Sequence, residues 1–204
     1  MPNRSAIGVC LALLSVLVCL AALVPAAHAQ DRSHDLSWGP VADGLRMSIT
    51  RTPSSATAST AQFRVAIENA GERDAVLNMG LMMANGQVLL PTALFLTITD
   101  SQKVSRELSF LSPSSTAGPV IRLSGKMDDY VVPLRPGATY TMAVDLSHYW
   151  AAATKQFPLR LLTGEHTVVA RLVARGAQYS KGDIALLKFW TGTVQSNELT
   201  FQVP

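Results

Sequence analysis

Apolar side chains recur at every second position in six segments of the chain. In the first of them, Leu45, Met47 and Ile49 alternate with polar residues. A period of two places alternate side chains on opposite faces of a β-strand, so one face of each segment is predicted to be buried and the other solvated. The same spacing recurs in residues 63–68, 94–98, 140–146, 168–172 and 198–203. This pattern is typical of antiparallel sheets, because parallel strands are buried on both faces and read as continuous apolar runs.

Turn-forming residues separate these segments. Asn85-Gly86 predicts a two-residue hairpin between residues 81–84 and 87–90, because this dipeptide readily adopts the positive φ angles of a type I′ turn. Other turn signals lie at 69–71, 135–137, 163–165 and Gly192, and no segment between them has a convincing helical period. We therefore predict an all-β fold, a two-sheet antiparallel immunoglobulin-like sandwich of roughly nine to eleven strands.

Residues 1–29 have the features of a cleavable export signal. Arg4 precedes an uncharged run over residues 7–24, and Ala27-His28-Ala29 supplies the small, spaced residues that a signal peptidase accepts. We predict cleavage after Ala29, which leaves residues 30–204 as one β-sandwich domain in the periplasm or outside a bacterial cell. An uncleaved anchor is the alternative, since the uncharged run approaches the length of the shortest transmembrane helices.

Both cysteines, Cys10 and Cys19, lie in the predicted signal, and each follows a valine rather than the small residue that a lipid anchor needs. The mature chain is therefore predicted to have no disulfide and no thiol chemistry. Loss of Arg4 reduces the 17 basic residues to 16, against 14 acidic residues, a net charge of +2 with the signs interspersed. This balance does not favour nucleic acid or an anionic membrane as a partner, and membrane contact is expected only during export.

Several short motifs resemble those of bacterial immunoglobulin-like modules. Residues 63–71 resemble a strand followed by an N-x-G turn, and residues 134–140 resemble an L-x-P-G-x-x-Y strand entry. Residues 161–166 resemble an L-x-x-G-x-Y corner in which His166 replaces the usual tyrosine.

The C-terminal segment resembles the W-x-G-x-x-x-S-N closing strand of secreted bacterial sandwich proteins that mostly lack an assigned function. Its motif residues are Trp190, Gly192, Ser196 and Asn197. The resemblance implies structural roles for these residues and specifies a fold far better than a function. Accordingly, Trp190 is expected to lie between the sheets and to matter more for stability than Trp150.

A weaker similarity is to a bacterial family of sandwich-fold proteinase inhibitors, which also has the N-x-G turn and the L-x-P-G strand entry. No inhibitory motif of that family maps onto this sequence, so no site residues follow from it. Residues 52–60 and 112–119, two stretches rich in Ser, Thr, Pro and Ala, are the candidates for a protease-binding loop.

The sequence has no recognisable constellation for catalysis or metal binding. His34, His148 and His166 lack metal-ligand spacing, and no G-x-S-x-G elbow is present. Asp128-Asp129 is interpreted as a solvated turn, since no D-x-D-x-D-G calcium loop surrounds it. We predict no catalytic residue, no metal and no cofactor, with an unrecognised hydrolase as the enzymatic alternative.

Two further groups of residues could bind ligands. His148-Tyr149-Trp150 suggests sugar stacking, but adjacent strand residues face opposite ways, which favours core packing of the rings. The basic residues Arg171, Arg175, Lys181 and Lys188 are assigned mostly to outward strand positions. The leading hypothesis is an exported, non-catalytic module that binds an unknown protein or cell-envelope component through its loops or a strand edge. A proteinase inhibitor and a carbohydrate-binding module are the alternatives.

Overall fold

The computed structural model describes residues 37–52, 61–83, 86–111 and 125–203, so the predicted export signal and His34 lie outside the described residues. The described part contains twelve strands and two short 3-10 turns, Leu146–His148 and Gly182–Leu186. The strands are β1 (Leu45–Arg51), β2 (Gln62–Asn69), β3 (Ala75–Met83), β4 (Val88–Leu90), β5 (Leu94–Thr99), β6 (Ser105–Phe110), β7 (Met127–Leu134), β8 (Thr139–Asp145), β9 (Tyr149–Ala151), β10 (Gly164–Ala174), β11 (Gly192–Gln195) and β12 (Leu199–Val203). No helix in these ranges has both the length and the apolar character needed to cross a bilayer.

The strands pair into three antiparallel sheets. Two of these have three strands, in the orders β1-β2-β8 and β4-β3-β7. The third has the order β11-β10-β5-β6-β9, and β12 also pairs with β10. One edge of the long strand β10 pairs with β5, while β12 and β11 share the other edge, at Gly164–Val168 and Arg171–Ala174. The predicted all-β, antiparallel, sandwich-like class is confirmed, with slightly more strands than predicted and with three sheets instead of two.

All six alternating segments lie in strands, namely β1, β2, β5, β8, β10 and β12, apart from two residues at segment ends, Leu146 and Glu198. The predicted hairpin pairs β3 with β4, with Leu81 opposite Leu90 and Met83 opposite Val88. Residues 84–85 lie outside the described part of the chain, but Gly86 has the expected positive φ of 88°.

The core forms where the dry faces of the sheets meet. Leu45, Met47 and Ile49 of β1 are fully buried, as their alternation predicts. The rings of Phe63 in β2 and Phe201 in β12 meet edge to face, with centroids 5.3 Å apart, and thereby join two sheets. Each fully buried side chain of this kind contributes about 1.5–3 kcal/mol through removal of apolar surface from water.

Candidate functional site

Trp190 is half-buried at the start of the closing segment, whereas its place in the closing motif predicted a position between the sheets. Its backbone N–H donates to the Val76 carbonyl at 2.8 Å, and its indole N–H donates to the Asp43 carbonyl at 3.0 Å. Gly192 has a φ of 156°, and a Cβ at this position would lie 3.1 Å from the Trp190 ring. The glycine is needed because the indole packs directly against the backbone here.

Ser196 and Asn197 lie between β11 and β12, and their side chains add hydrogen bonds to the one that the Ser196 backbone N–H donates to the Ala170 carbonyl. The Ser196 hydroxyl accepts from the Ala170 N–H at 2.9 Å and donates to the Asn197 carbonyl. The Asn197 amide accepts from the Ile49 N–H at 2.8 Å and donates to the Ile49 carbonyl at 3.2 Å. The side chain of Asn197 therefore imitates a strand backbone and connects the closing segment to β1.

The N-x-G turn and the L-x-P-G strand entry also contact each other. The buried Asn69 amide accepts from the Gly71 N–H and donates to the Leu134 carbonyl at 2.9 Å. The Asn69 carbonyl accepts from the Gly137 N–H at 2.7 Å. Asn69 thus connects the N-x-G turn after β2 to the L-x-P-G segment between β7 and β8.

The interpretation of Asp128-Asp129 as a solvated turn is wrong. Both residues lie in β7, and Asp129 is buried. Its carboxylate accepts the backbone N–H groups of residues 178, 179 and 180 and the Asn78 amide, at 2.8–3.1 Å. Burial alone would raise the pKa of Asp129, but these hydrogen bonds outweigh it and hold the pKa below its ordinary value. We refer to Asn69, Asp129, Ser196 and Asn197 as the polar ties.

The two described histidines do not form a joint site. His148 is exposed at the end of the first 3-10 turn, whereas His166 is buried beside Phe201 and its Nδ1 lies 3.1 Å from the Gly164 carbonyl. His166 thus makes a side-chain contact with the backbone at the corner where the related motif has tyrosine. No group of three or more metal-ligating side chains occurs within the described ranges.

Tyr149 and Trp150 do not form an exposed stacking platform. Both are buried, at 1% and 5% exposure, although they are adjacent in β9. Trp150 is therefore more deeply buried than Trp190, which reverses the order expected from the sequence.

Residues 175–191, which we call the tip loop, connect β10 to β11. The sequence did not predict a binding loop here, although it singled out Arg175, Lys181, Lys188 and Trp190. Arg171 is paired with Glu107 from within β10, but Lys181 and Lys188 lie in the tip loop rather than at outward strand positions. Residues 181–188 are all exposed, and Leu186 reaches 82%. Ile184 and Leu187 are the other large apolar side chains exposed there.

A second unpredicted feature is an open cleft of about 280 Å³, which we call the aromatic cleft. It lies beside β8, an edge strand, and β9, an edge strand of the six-stranded sheet. The described residues that line it are Leu89, Pro91, Phe110, Tyr130, Tyr140, Met142, Ala143, Val144, Asp145, His148 and Tyr149. They include four aromatic rings besides the imidazole and one carboxylate, but no lysine or arginine.

The rings of the aromatic cleft are held in fixed orientations. Phe110 meets Tyr149 edge to face at 5.2 Å, and Tyr130 meets Tyr140 at 6.4 Å, where the two hydroxyls share a hydrogen bond. The Tyr149 hydroxyl is buried without a hydrogen-bond partner among the described residues, and its burial raises the pKa of this phenol. A buried hydroxyl without a hydrogen-bond partner is uncommon in folded proteins.

Asp145 supplies the charge of the aromatic cleft. It accepts the Ser147 N–H at 2.8 Å and the Gln62 amide at 3.1 Å. Burial would raise the pKa of Asp145, but the hydrogen bonds from Ser147 and Gln62 prevail and lower it. The carboxylate is therefore ionised at neutral pH and faces a cleft that is otherwise largely aromatic and apolar.

The fold and these features define a class: an antiparallel, sandwich-like all-β protein with an exposed loop and an aromatic cleft. No protein-family model matches the chain, and no curated protein matches it in sequence. One similar solved structure is a crystal structure of a Bordetella pertussis protein assigned as ApaA. It is 14% identical, with 83% of this chain and 97% of that chain covered and a TM-score of 0.38. This likeness supports no functional inference.

Proposed function

We propose that the mature chain is an exported, non-catalytic, immunoglobulin-like binding module that holds a protein partner through the tip loop. The observation that carries the proposal is the 82% exposure of Leu186 in a loop whose two ends are fixed to the sandwich. Large apolar side chains exposed together mark interaction sites in soluble proteins.

The first end of the tip loop is fixed by buried polar groups. Asp129 accepts three successive backbone N–H groups, from residues 178–180, and the Asn78 amide donates to the Gly176 carbonyl at 2.9 Å. At the other end, Trp190 donates to Val76 and Asp43. A loop held in this way loses little conformational entropy on binding, and this pre-organisation favours affinity.

The chemistry of the tip indicates the kind of partner. Ile184, Leu186 and Leu187 would be buried in an apolar pocket, as the central contacts of protein interfaces are. The exposed Lys181 and Lys188 flank them and would meet acidic groups around that pocket. A partner protein with an apolar pocket and an acidic rim fits both features.

Binding and export can be tested separately. Tagged mature protein would be used to retain partners from an envelope extract, and each retained protein would be purified and its affinity measured. Leu186→Ser should abolish retention, whereas Val104→Ser, at a 46% exposed apolar position elsewhere, should not. Equal retention by both variants would contradict the assignment of the tip loop. The intact mass of the exported protein tests cleavage after Ala29.

A proteinase inhibitor is the second candidate, because a fixed loop with one very exposed leucine could enter a protease pocket for large apolar residues. The 3-10 turn over Gly182–Leu186 weighs against it, since protease clefts accept extended chains. The two stretches predicted as inhibitory loops, 52–60 and 112–119, lie outside the described residues apart from residue 52. Proteases that cleave after leucine should be inhibited by the parent and not by Leu186→Ser if this candidate holds.

A further inference from the structure

We propose that the aromatic cleft is a binding site for a small organic cation, with an alkylammonium group held among the aromatic rings and beside the Asp145 carboxylate. The site is separate from the tip loop, and the proposal does not depend on the protein partner. It rests on the composition, volume and charge of the cleft.

The volume limits the size of the ligand. At about 280 Å³ the cleft lies just below the range of about 300–1,000 Å³ that is typical of small-molecule sites. Tyr130 and Tyr149 are buried, and Tyr140 and Met142 are partly exposed, whereas Leu89 and His148 are exposed. A compact ligand could therefore be surrounded on several sides by rings without any opening of the fold.

The charge of the lining selects the sign of the ligand. Aromatic faces carry partial negative charge and attract cations, most strongly where water is excluded. Asp145 adds a full negative charge, and among the described lining residues no lysine or arginine opposes it. An anionic ligand would meet repulsion here. A neutral apolar ligand would leave the ionised carboxylate without a counter-charge.

The lining is arranged before any ligand arrives. The hydroxyl pair of Tyr130 and Tyr140 and the edge-to-face contact of Phe110 with Tyr149 fix the ring orientations. Asp145 is held by Ser147 and Gln62, yet each of its oxygens can accept a further hydrogen bond.

The test compares two ligands of nearly equal shape, choline and the uncharged 3,3-dimethyl-1-butanol, by calorimetric titration of the mature protein. Choline should bind saturably, and the uncharged compound should bind at least about tenfold more weakly, since the cation–ring and carboxylate attractions are lost. Equal affinity for both compounds, or no saturable binding of choline, would overturn the proposal. Binding of a methyl glycoside in preference to choline would also overturn it, in favour of a carbohydrate site.

Variants locate the binding. Asp145→Asn keeps the shape of the side chain but removes the charge, and Tyr140→Leu removes a partly exposed ring. Each should weaken choline binding about tenfold or more. Tyr140→Phe, which keeps the ring but removes the hydroxyl that contacts Tyr130, should weaken choline binding less than Tyr140→Leu does. Asp183→Asn, which removes an exposed charge from the tip loop, is the matched control and should have no effect. Unchanged affinity in Asp145→Asn and Tyr140→Leu, with parental melting temperatures, would place the binding elsewhere and refute the assignment.

Discussion

The polar ties and the aromatic cleft are two regions of polar and aromatic side chains that differ in how far their hydrogen bonds are completed. The side chains of the ties bond to backbone groups of other segments, as when Asn197 bonds to both the N–H and the carbonyl of Ile49. In the cleft, Tyr149 keeps a hydroxyl without a partner among the described residues, and Asp145 keeps free acceptor capacity. Side chains whose hydrogen bonds are all made within the protein have a structural role. A carboxylate that lines a cavity and can accept further hydrogen bonds is available to a ligand.

Trp150, beside the aromatic cleft, and Trp190, in the closing motif, show how much apolar burial contributes to stability in each region. Trp150 lies in β9, beside the cleft residue Tyr149, and is almost fully buried, so Trp150→Ala should lower the free energy of unfolding by about 3–5 kcal/mol. Trp190 belongs to the closing motif but is half-buried, so Trp190→Ala should cost about 1–3 kcal/mol. Urea unfolding of both variants measures the difference. A larger loss for Trp190 would restore the order expected from the sequence.

An Asp→Asn substitution in each region compares the stability contributed by the two carboxylates. Asp129→Asn would turn an amide NH₂ toward backbone N–H donors that now share a carboxylate, and we expect a loss of about 2–4 kcal/mol. Asp145→Asn should cost at most about 1 kcal/mol, because its remaining oxygen can accept the Ser147 N–H and the Gln62 amide can reverse. Denaturant unfolding compares the two variants. Equal losses would contradict the distinction between the regions.

The closing motif provides a smaller effect. Asn197→Ala removes the partners of both backbone groups of Ile49, and we expect a loss of about 1–2 kcal/mol. Gln195→Ala, at an exposed position of β11, is the control and should remain within about 0.5 kcal/mol of the parent. Thermal unfolding measures both. A neutral Asn197→Ala would mean that the side chain does not connect the closing segment to β1.

Acid should weaken the polar ties. The pKa of Asp129 is lowered in the fold, so its charged form contributes stability above the unfolded-state pKa of about 4, and this contribution is lost as the pH falls through the folded-state pKa. Asp100 has the same sign, because the Val104 N–H outweighs burial. Stability should therefore fall below about pH 4–5, and the fall should be shallower in Asp129→Ala than in Leu186→Ser. Parallel curves for these variants would show that Asp129 does not contribute.

The smallest effect is expected at the tip loop. The Leu186 side chain buries little apolar surface in the folded chain, so Leu186→Ser should change the free energy of unfolding by less than about 0.5 kcal/mol. Thermal unfolding at neutral pH checks this. A large loss would mean that the side chain packs on the protein, and the tip loop would then not be available to a partner.

The sequence by itself determined the fold class, because alternation with a period of two is a local property of a half-buried strand. The alternation alone predicts the burial of Leu45, Met47 and Ile49, whichever strand lies beside them. The turn residues of the Asn69 and Asn85-Gly86 segments are equally local, since φ preference belongs to the residue and its neighbours.

Only the tertiary structure decided which polar side chains are satisfied and which surround an opening. Asp129 meets backbone groups about 50 positions later in the chain, and nothing in the adjacent Asp128 distinguishes it. The aromatic cleft draws residues from five strands, from β4 to β9, with no shared spacing. Burial of Trp150 and exposure of Leu186 likewise depend on which surfaces the sheets cover. Such properties arise from contacts between distant segments, and a single sequence does not encode their pairing in any local pattern.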